Sequence, residues 1–100
     1  MPLSNETRTF IVETIQRIFS EPHPRILLFG SQATGQARPT SDIDIAIDQG
    51  RPLAPSLWAR LDEAFEESDL VAKVDIVDYQ RVGAEFRSII DRTAVPLTAS

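Results

Sequence analysis

Residues 42–48 read DIDIAID, and this alternation constrains the fold more than any other part of the chain. In an extended strand, successive side chains point to opposite faces, so the three isoleucines lie on one face and the aspartates on the other. The isoleucines require a buried surface, whereas the carboxylates opposite them require solvent or a cation. The segment therefore predicts a strand with one apolar and one acidic face.

The surrounding segments predict a small α/β (α+β) domain. Apolar residues recur at helical spacing up to about residue 20, in a helix that Ser4 or Asn5 can cap. The other predicted elements are, in chain order, a strand at 25–31, a loop at 32–41, a helix at 55–68, a strand at 72–79, a helix at 82–92 and a short edge strand at 94–97. This order predicts a small mixed sheet with helices on one face. In the last helix, inward-facing positions are expected at Val82, Phe86, Ile89 and Ile90.

Length and composition predict a single folded domain over residues 1–100. The chain is 42% hydrophobic, which is enough for a compact core. It has no long apolar run that predicts a membrane span, no signal-peptide pattern and no cysteine for disulfides or thiolate metal sites. Together these features favour a cytoplasmic protein. A net charge of −5 weighs against direct binding to nucleic acid, which usually requires a basic face.

The acidic face of the predicted strand favours a divalent cation site. Asp42 and Asp44 lie about 6.8 Å apart on one face of a strand, and their carboxylates repel each other unless a cation lies between them. Ligands that are all oxygen suit Mg²⁺ or Mn²⁺. If the third strand pairs beside this one, Asp75 or Asp78 can add another carboxylate. We favour Asp75, because it lies inside the strand, whereas Asp78 lies near the strand end and is more easily solvated.

A glycine-serine pair precedes this acidic segment at a fixed distance. Gly30 and Ser31 end the apolar run 25–29, ten residues follow, and Asp42 begins the Asp-x-Asp pair. A glycine at a strand end allows a phosphate to approach the backbone, and a serine hydroxyl can bond to phosphate oxygens. An Asp-x-Asp pair alone is a weak signal in an aspartate-rich chain. Its combination with the Gly-Ser pair predicts a site for a phosphorylated ligand.

The segment GSQATGQARPTSDIDIAI resembles the signature of the minimal nucleotidyltransferases of the DNA polymerase beta superfamily. The later segment KVDIVD resembles the strand that carries the third carboxylate in that superfamily. The resemblance extends from the first strand to the final helix. It implies the polymerase-beta-like nucleotidyltransferase fold.

The resemblance also implies a nucleotide site in the loop between the first two strands. Gly30 and Ser31 would hold the triphosphate of ATP. Arg38 would either contact phosphate or remain a solvated loop charge, and Ser41 would either contribute to the nucleotide site or orient the loop. Many members carry arginine at the position of Thr34, so this departure puts the catalytic strength of the chain in question.

For the acidic residues, the resemblance implies a two-metal mechanism. Asp42 and Asp44 would bind two Mg²⁺ ions (Mn²⁺ is an alternative), and Asp75 would share one ion and help to deprotonate the acceptor hydroxyl. The charges Arg25 and Lys73 flank strands and could meet phosphate, but exposed flanking charges are the default interpretation.

Stand-alone members of this superfamily resemble antitoxins that pair with an all-helical HEPN toxin. The resemblance therefore implies transfer of AMP from ATP to a hydroxyl of such a partner, expected to be that of a tyrosine. It also implies a hetero-oligomer with this partner and no membrane partner. Two alternatives stay open: an antitoxin that acts only by occluding its partner, and a nucleotidyltransferase for a small molecule such as an aminoglycoside. The absence of a separate acceptor domain argues against the second alternative.

Overall fold

The computed structural model describes residues 4–19, 22–30, 42–70 and 73–97. Within these ranges the chain forms three helices and one four-stranded mixed sheet. In chain order, the elements are α1 (Asn5–Ile18), β1 (Arg25–Phe29), β2 (Ile43–Asp48), α2 (Pro55–Glu66), β3 (Val74–Asp78), α3 (Ala84–Thr93) and β4 (Val95–Pro96). The predicted helices and strands are confirmed, with ends that differ by a few residues. The predicted loop at 32–41 lies outside the described residues.

The sheet order is β3-β2-β1-β4, with β2 and β1 in the centre. β1 is antiparallel to both β2 and β4, whereas β2 and β3 are parallel. A parallel pair requires a crossover connection, and α2 supplies it. The predicted edge strand is the two-residue β4, where Pro96 is tolerated because an edge strand need not donate every N–H group.

The main core lies between one face of the sheet and the helices α1 and α2. The three isoleucines of β2 are at most 2% exposed. They form one cluster with buried side chains of both helices, which are Ile11, Ile15, Leu61 and Phe65. This confirms the predicted apolar face of β2. At the start of α1, the side chain of Ser4 accepts a hydrogen bond from the backbone N–H of Thr7, as its capping role requires.

The opposite face of the sheet carries a smaller core, which α3 covers. Ile90 of α3 is fully buried there, in a cluster with Leu27, Phe29, Ala46 and Tyr79. The prediction of helices on one face therefore holds for α1 and α2, whereas α3 packs on the other face. It does so because β1 and β2 also present apolar side chains on that side, and these need cover.

Only part of the apolar side of α3 is buried. The expectation that Phe86 and Ile89 face inward was wrong, since they are 38% and 46% exposed. The ring of Phe86 still meets Phe29 edge to face, with 5.6 Å between the ring centroids.

The described ranges contain no helix that is long and apolar enough to cross a membrane.

Candidate active site

The strand register brings two of the predicted carboxylates together. Asp44 is the partner of Asp75 in the parallel β2–β3 pair, and the partner of Phe29 in the antiparallel β1–β2 pair. Register partners on adjacent strands point to the same face of a sheet, and adjacent strands lie about 4.8 Å apart. Asp42 is exposed and directly precedes β2. The aspartates thus lie at one end of the sheet, on the face that α3 covers in part.

The electrostatics of Asp44 reflect this arrangement. Burial raises the pKa of the Asp44 carboxyl above its ordinary value, and the negative charges of Asp75 and then Asp42 raise it further. The three carboxylates therefore repel one another in the absence of a cation. A positive charge at this place would remove the repulsion and favour the ionised form of Asp44.

Gly30 directly follows β1 and lies next to the carboxylate of Asp44. Its φ is +75°, a left-handed conformation that residues with side chains rarely adopt. A Cβ atom placed on Gly30 would also overlap Oδ2 of Asp44. Gly30, which the sequence predicts to bind phosphate, is therefore also required for the close approach of the backbone to a carboxylate.

Lys73, interpreted from the sequence by default as an exposed flanking charge, is a neighbour of the site. Its Nζ atom lies 3.5 Å from Oδ1 of Asp75, and both side chains are partly exposed. The sequence contained a signal for this contact, because residues two apart in an extended segment share a face. Lys73 thus supplies a positive charge at the edge of the acidic cluster.

Asp78, the other candidate for a third carboxylate, lies elsewhere. It is the register partner of Ile47, so its side chain points to the face opposite Asp44. The expectation that it is easily solvated was wrong: it is 6% exposed. Its carboxylate accepts hydrogen bonds from the N–H groups of Leu53 (2.8 Å) and Gln80 (3.1 Å) and pairs with Arg81 at 3.4 Å. Asp78 therefore anchors the loop that follows β2.

The carboxylate of Asp48, at the far end of β2, also accepts several hydrogen bonds. It accepts hydrogen bonds from Arg25 (2.7 Å), the side chain of Gln80 (2.8 Å) and the backbone N–H of Gly50 (2.9 Å). Burial alone would raise the pKa of Asp48, but the hydrogen bonds from these groups outweigh burial and lower it. Asp48 is a structural anchor and does not belong to the carboxylate cluster.

The other predicted nucleotide-site residues, Ser31, Arg38 and Ser41, lie outside the described residues, as does Thr34. Among the part of the chain that is described, no three acidic or histidine side chains converge as a complete metal cage. The all-oxygen donor set and the mutual repulsion around Asp44 fit a divalent cation such as Mg²⁺, which proteins commonly hold through one or two carboxylates together with water and substrate phosphates.

The sequence is similar to that of known nucleotidyltransferases. Residues 13–98 match the family described as "Polymerase beta, Nucleotidyltransferase". Over 95 residues the chain is 34% identical to the Haemophilus influenzae protein named "Probable protein adenylyltransferase MntA", a match that covers 95% of this chain and 82% of that protein.

Solved structures share the fold. A crystal structure described as a toxin-antitoxin with AMP-PNP superposes with a TM-score of 0.76 at 24% identity, and covers 97% of this chain and 75% of that chain. A structure described as a tri-AMPylated Shewanella oneidensis HEPN toxin in complex with an MNT antitoxin gives a TM-score of 0.69 at 21% identity. That match covers 93% of this chain and 70% of the other chain.

Proposed function

The chain belongs to the polymerase beta nucleotidyltransferase family, and from this premise we propose that it is an antitoxin that transfers AMP from ATP to a hydroxyl of a HEPN-type toxin. The observation that carries the proposal is the register of Asp44 with Asp75 on one face, with Gly30 held against Asp44. The relative at 34% identity is named a protein adenylyltransferase, which supports a protein acceptor. The fold is also that of a toxin-antitoxin structure with AMP-PNP, which supports ATP as the donor.

In the proposed reaction, the acceptor oxygen attacks the α-phosphorus of ATP. A bond forms between that oxygen and the α-phosphorus, the bond from the α-phosphorus to the bridging oxygen breaks, and pyrophosphate leaves. We propose that Asp75 takes the hydroxyl proton and that the acceptor is a tyrosine. Two Mg²⁺ ions, held by Asp42, Asp44 and Asp75, would supply positive charge to the attacking and leaving oxygens when bound.

Gly30 and the residues that follow it are proposed to hold the triphosphate. Gly30 presents its backbone without a side chain directly after β1, next to the carboxylate of Asp44. Ser31, Arg38 and Ser41 are assigned to the same nucleotide site. The carboxylates alone would repel a triphosphate, so the cations are needed to bind ATP as well as to activate it.

Labelled ATP tests this proposal. The purified chain is incubated with a HEPN toxin, Mg²⁺ and ATP labelled at the α-phosphate or at the γ-phosphate. We expect label on the toxin only from the α-phosphate, with about a 100-fold or greater loss of rate in Asp44→Asn. Asp48→Asn is the matched control, because Asp48 lies on the same strand and face but belongs to a structural anchor.

The two alternatives give different results in the same assay. An occluding antitoxin would inhibit the toxin without label transfer and would retain inhibition in Asp44→Asn. A small-molecule enzyme would label an aminoglycoside added in place of the toxin.

A further inference from the structure

The outer edge of β3 is unpaired within the described part of the chain. The sheet order β3-β2-β1-β4 makes β3 and β4 the two edge strands. β4 has only two residues and ends in Pro96, two features that discourage pairing with another strand. β3 has five residues and contains no proline. It is therefore the edge of the sheet that is able to accept a further strand.

The hydrogen-bond pattern shows which backbone groups of β3 point outward. The N–H of Ile43 donates to the carbonyl of Lys73, and the N–H of Tyr79 donates to the carbonyl of Ile47. In a parallel pair, every second residue of a strand bonds to the same neighbouring strand. These two bonds therefore show that the odd-numbered residues of β3 bond to β2. The N–H and C=O groups of Val74 and Ile76 consequently point to the free edge.

An apolar groove runs along this edge. It has a volume of about 740 Å³ and lies between β3, α2 and the turn that follows β3. Ile76 and Trp58 line its walls, and Trp58 is 37% exposed despite its size. None of the three carboxylates of the candidate active site lines this groove. Unpaired strand groups beside an apolar groove match the mode in which an extended peptide adds to a sheet and inserts alternate side chains.

The charges around the groove favour a basic occupant. Asp62 lies on its rim, whereas the charge of Arg81 is already paired with the buried Asp78. Residues 62–69 contain five acidic residues and no basic one, at the end of α2 where the helix dipole is itself negative. A second copy of this chain, with its own net charge of −5, would bring two acidic rims together. The charges therefore disfavour a second copy.

We propose that this groove, called the β3 groove, binds an extended basic segment of a partner protein. The segment adds as a fifth strand along Val74 and Ile76, places an apolar side chain against Trp58, and sets lysine or arginine beside Asp62. The inference concerns binding alone and stands apart from the adenylyl-transfer proposal. It is tested without ATP or a toxin.

A peptide titration of the full chain tests the inference. The probe is a capped octapeptide with threonine at every second position and with valine and arginine in turn at the positions between, so that both valine and arginine face the groove. Amide exchange is followed by NMR. We expect the peptide to slow exchange at Val74 and Ile76 by about tenfold or more. The same peptide with glutamate in place of arginine, or with every backbone amide N-methylated, should leave both amides unchanged.

Matched variants separate local contacts from net charge. Asp62→Lys and Glu63→Lys change the net charge equally, at two exposed positions of α2. Of these two residues, only Asp62 lines the groove. We expect Asp62→Lys to weaken peptide binding by about tenfold and Glu63→Lys by about twofold or less. Trp58→Ala should weaken binding by at least about tenfold.

Three results would overturn the inference. The first is no protection of Val74 and Ile76 at about 1 mM basic peptide, a concentration at which even weak binding is detectable. The second is equal protection by the acidic peptide. The third is a free protein that is dimeric, with both amides already protected, because a second copy would then occupy the groove.

Discussion

The contact between Gly30 and the carboxylate of Asp44 joins the end of β1 to the acidic cluster. Gly30 has no side chain to separate the two strands at this point, and its backbone has a positive φ. Backbone geometry and site chemistry therefore depend on the same residue.

Gly30→Ala is expected to damage both stability and activity. The substitution carries the cost of a left-handed alanine, about 1 kcal/mol, and also forces Asp44 away from its position. We expect a loss of about 2 to 3 kcal/mol in the free energy of unfolding, measured by urea denaturation, together with loss of AMP transfer.

Gly50→Ala is the matched control for this change. Gly50 also has a positive φ (83°), but a Cβ atom there would meet nothing within 4 Å. The Gly50→Ala variant should lose only the conformational part of the free energy of unfolding, about 1 kcal/mol, and should keep its activity. Equal losses in both variants would show that the overlap with Asp44 has no energetic consequence.

Asp44→Asn is expected to raise stability while it removes activity. The raised pKa of Asp44 means that the folded state holds its proton to a higher pH than the unfolded state does. Ionisation therefore disfavours folding as the pH rises through that window, and at pH 7 without metal the asparagine variant should have a higher Tm than the natural chain. The difference should disappear below the ordinary pKa of aspartate, where both forms are neutral.

Added Mg²⁺ provides a second test of the role of Asp44. It should raise the Tm of the natural chain at pH 7 and leave Asp44→Asn nearly unchanged, because a ligand that binds only the folded state stabilises it. A lower Tm for Asp44→Asn without metal would contradict the repulsion described for this cluster.

The two faces of β3 predict a separation of roles between Asp75 and Asp78. Asp78→Ala should lower the free energy of unfolding by about 2 kcal/mol, because the N–H of Leu53 loses its buried acceptor. Activity should persist at temperatures where this variant remains folded. Asp75→Ala should have the opposite profile, with little change in stability and a loss of transfer of about 100-fold or more. Urea denaturation and label transfer, measured on both variants, would contradict this if the two profiles were the same.

The anchor between β1 and β2 predicts a pH dependence of stability. The hydrogen bonds from Arg25, Gln80 and Gly50 lower the pKa of Asp48, so its contribution is present above the ordinary aspartate pKa and is lost as the pH falls through the lower, folded-state value. Asp48→Asn should cost about 1 kcal/mol at pH 7 and reduce the fall of Tm as the pH drops below the ordinary pKa of aspartate. An unchanged acid dependence would show that Asp48 does not contribute to it.

The sequence predicted β2 well because strict alternation leaves only one register of buried and exposed faces. It favoured Asp75 over Asp78 as the carboxylate beside Asp44 only on the condition that the third strand pairs with β2, and the β2–β3 pairing meets that condition. It did not predict the partial exposure of Phe86 and Ile89, since periodicity identifies the apolar side of a helix but not how much sheet remains for it to cover. The burial of Asp78 depends on Leu53, which is 25 residues away in the chain, so local patterns carry no signal for it.

The whole molecule presents two distinct surfaces that meet at β3. The second residue of β3, Asp75, belongs to the acidic cluster, while the outer edge of the same strand borders the β3 groove. If both proposals hold, a partner segment docked along this edge lies one strand away from the catalytic end of the sheet. A small domain could in this way use one strand both to bind its partner and to modify it.

The intact mass of the partner tests the central claim most directly. A HEPN toxin is co-expressed with the natural chain, with Asp42→Ala/Asp44→Ala, or with the control Asp48→Asn, and its mass is measured after purification. We predict a gain of one or more AMP units with the natural chain and the control, and none with the double variant. An unmodified toxin in a stable complex that forms equally well with the double variant would contradict adenylyl transfer and show an antitoxin that acts by occlusion.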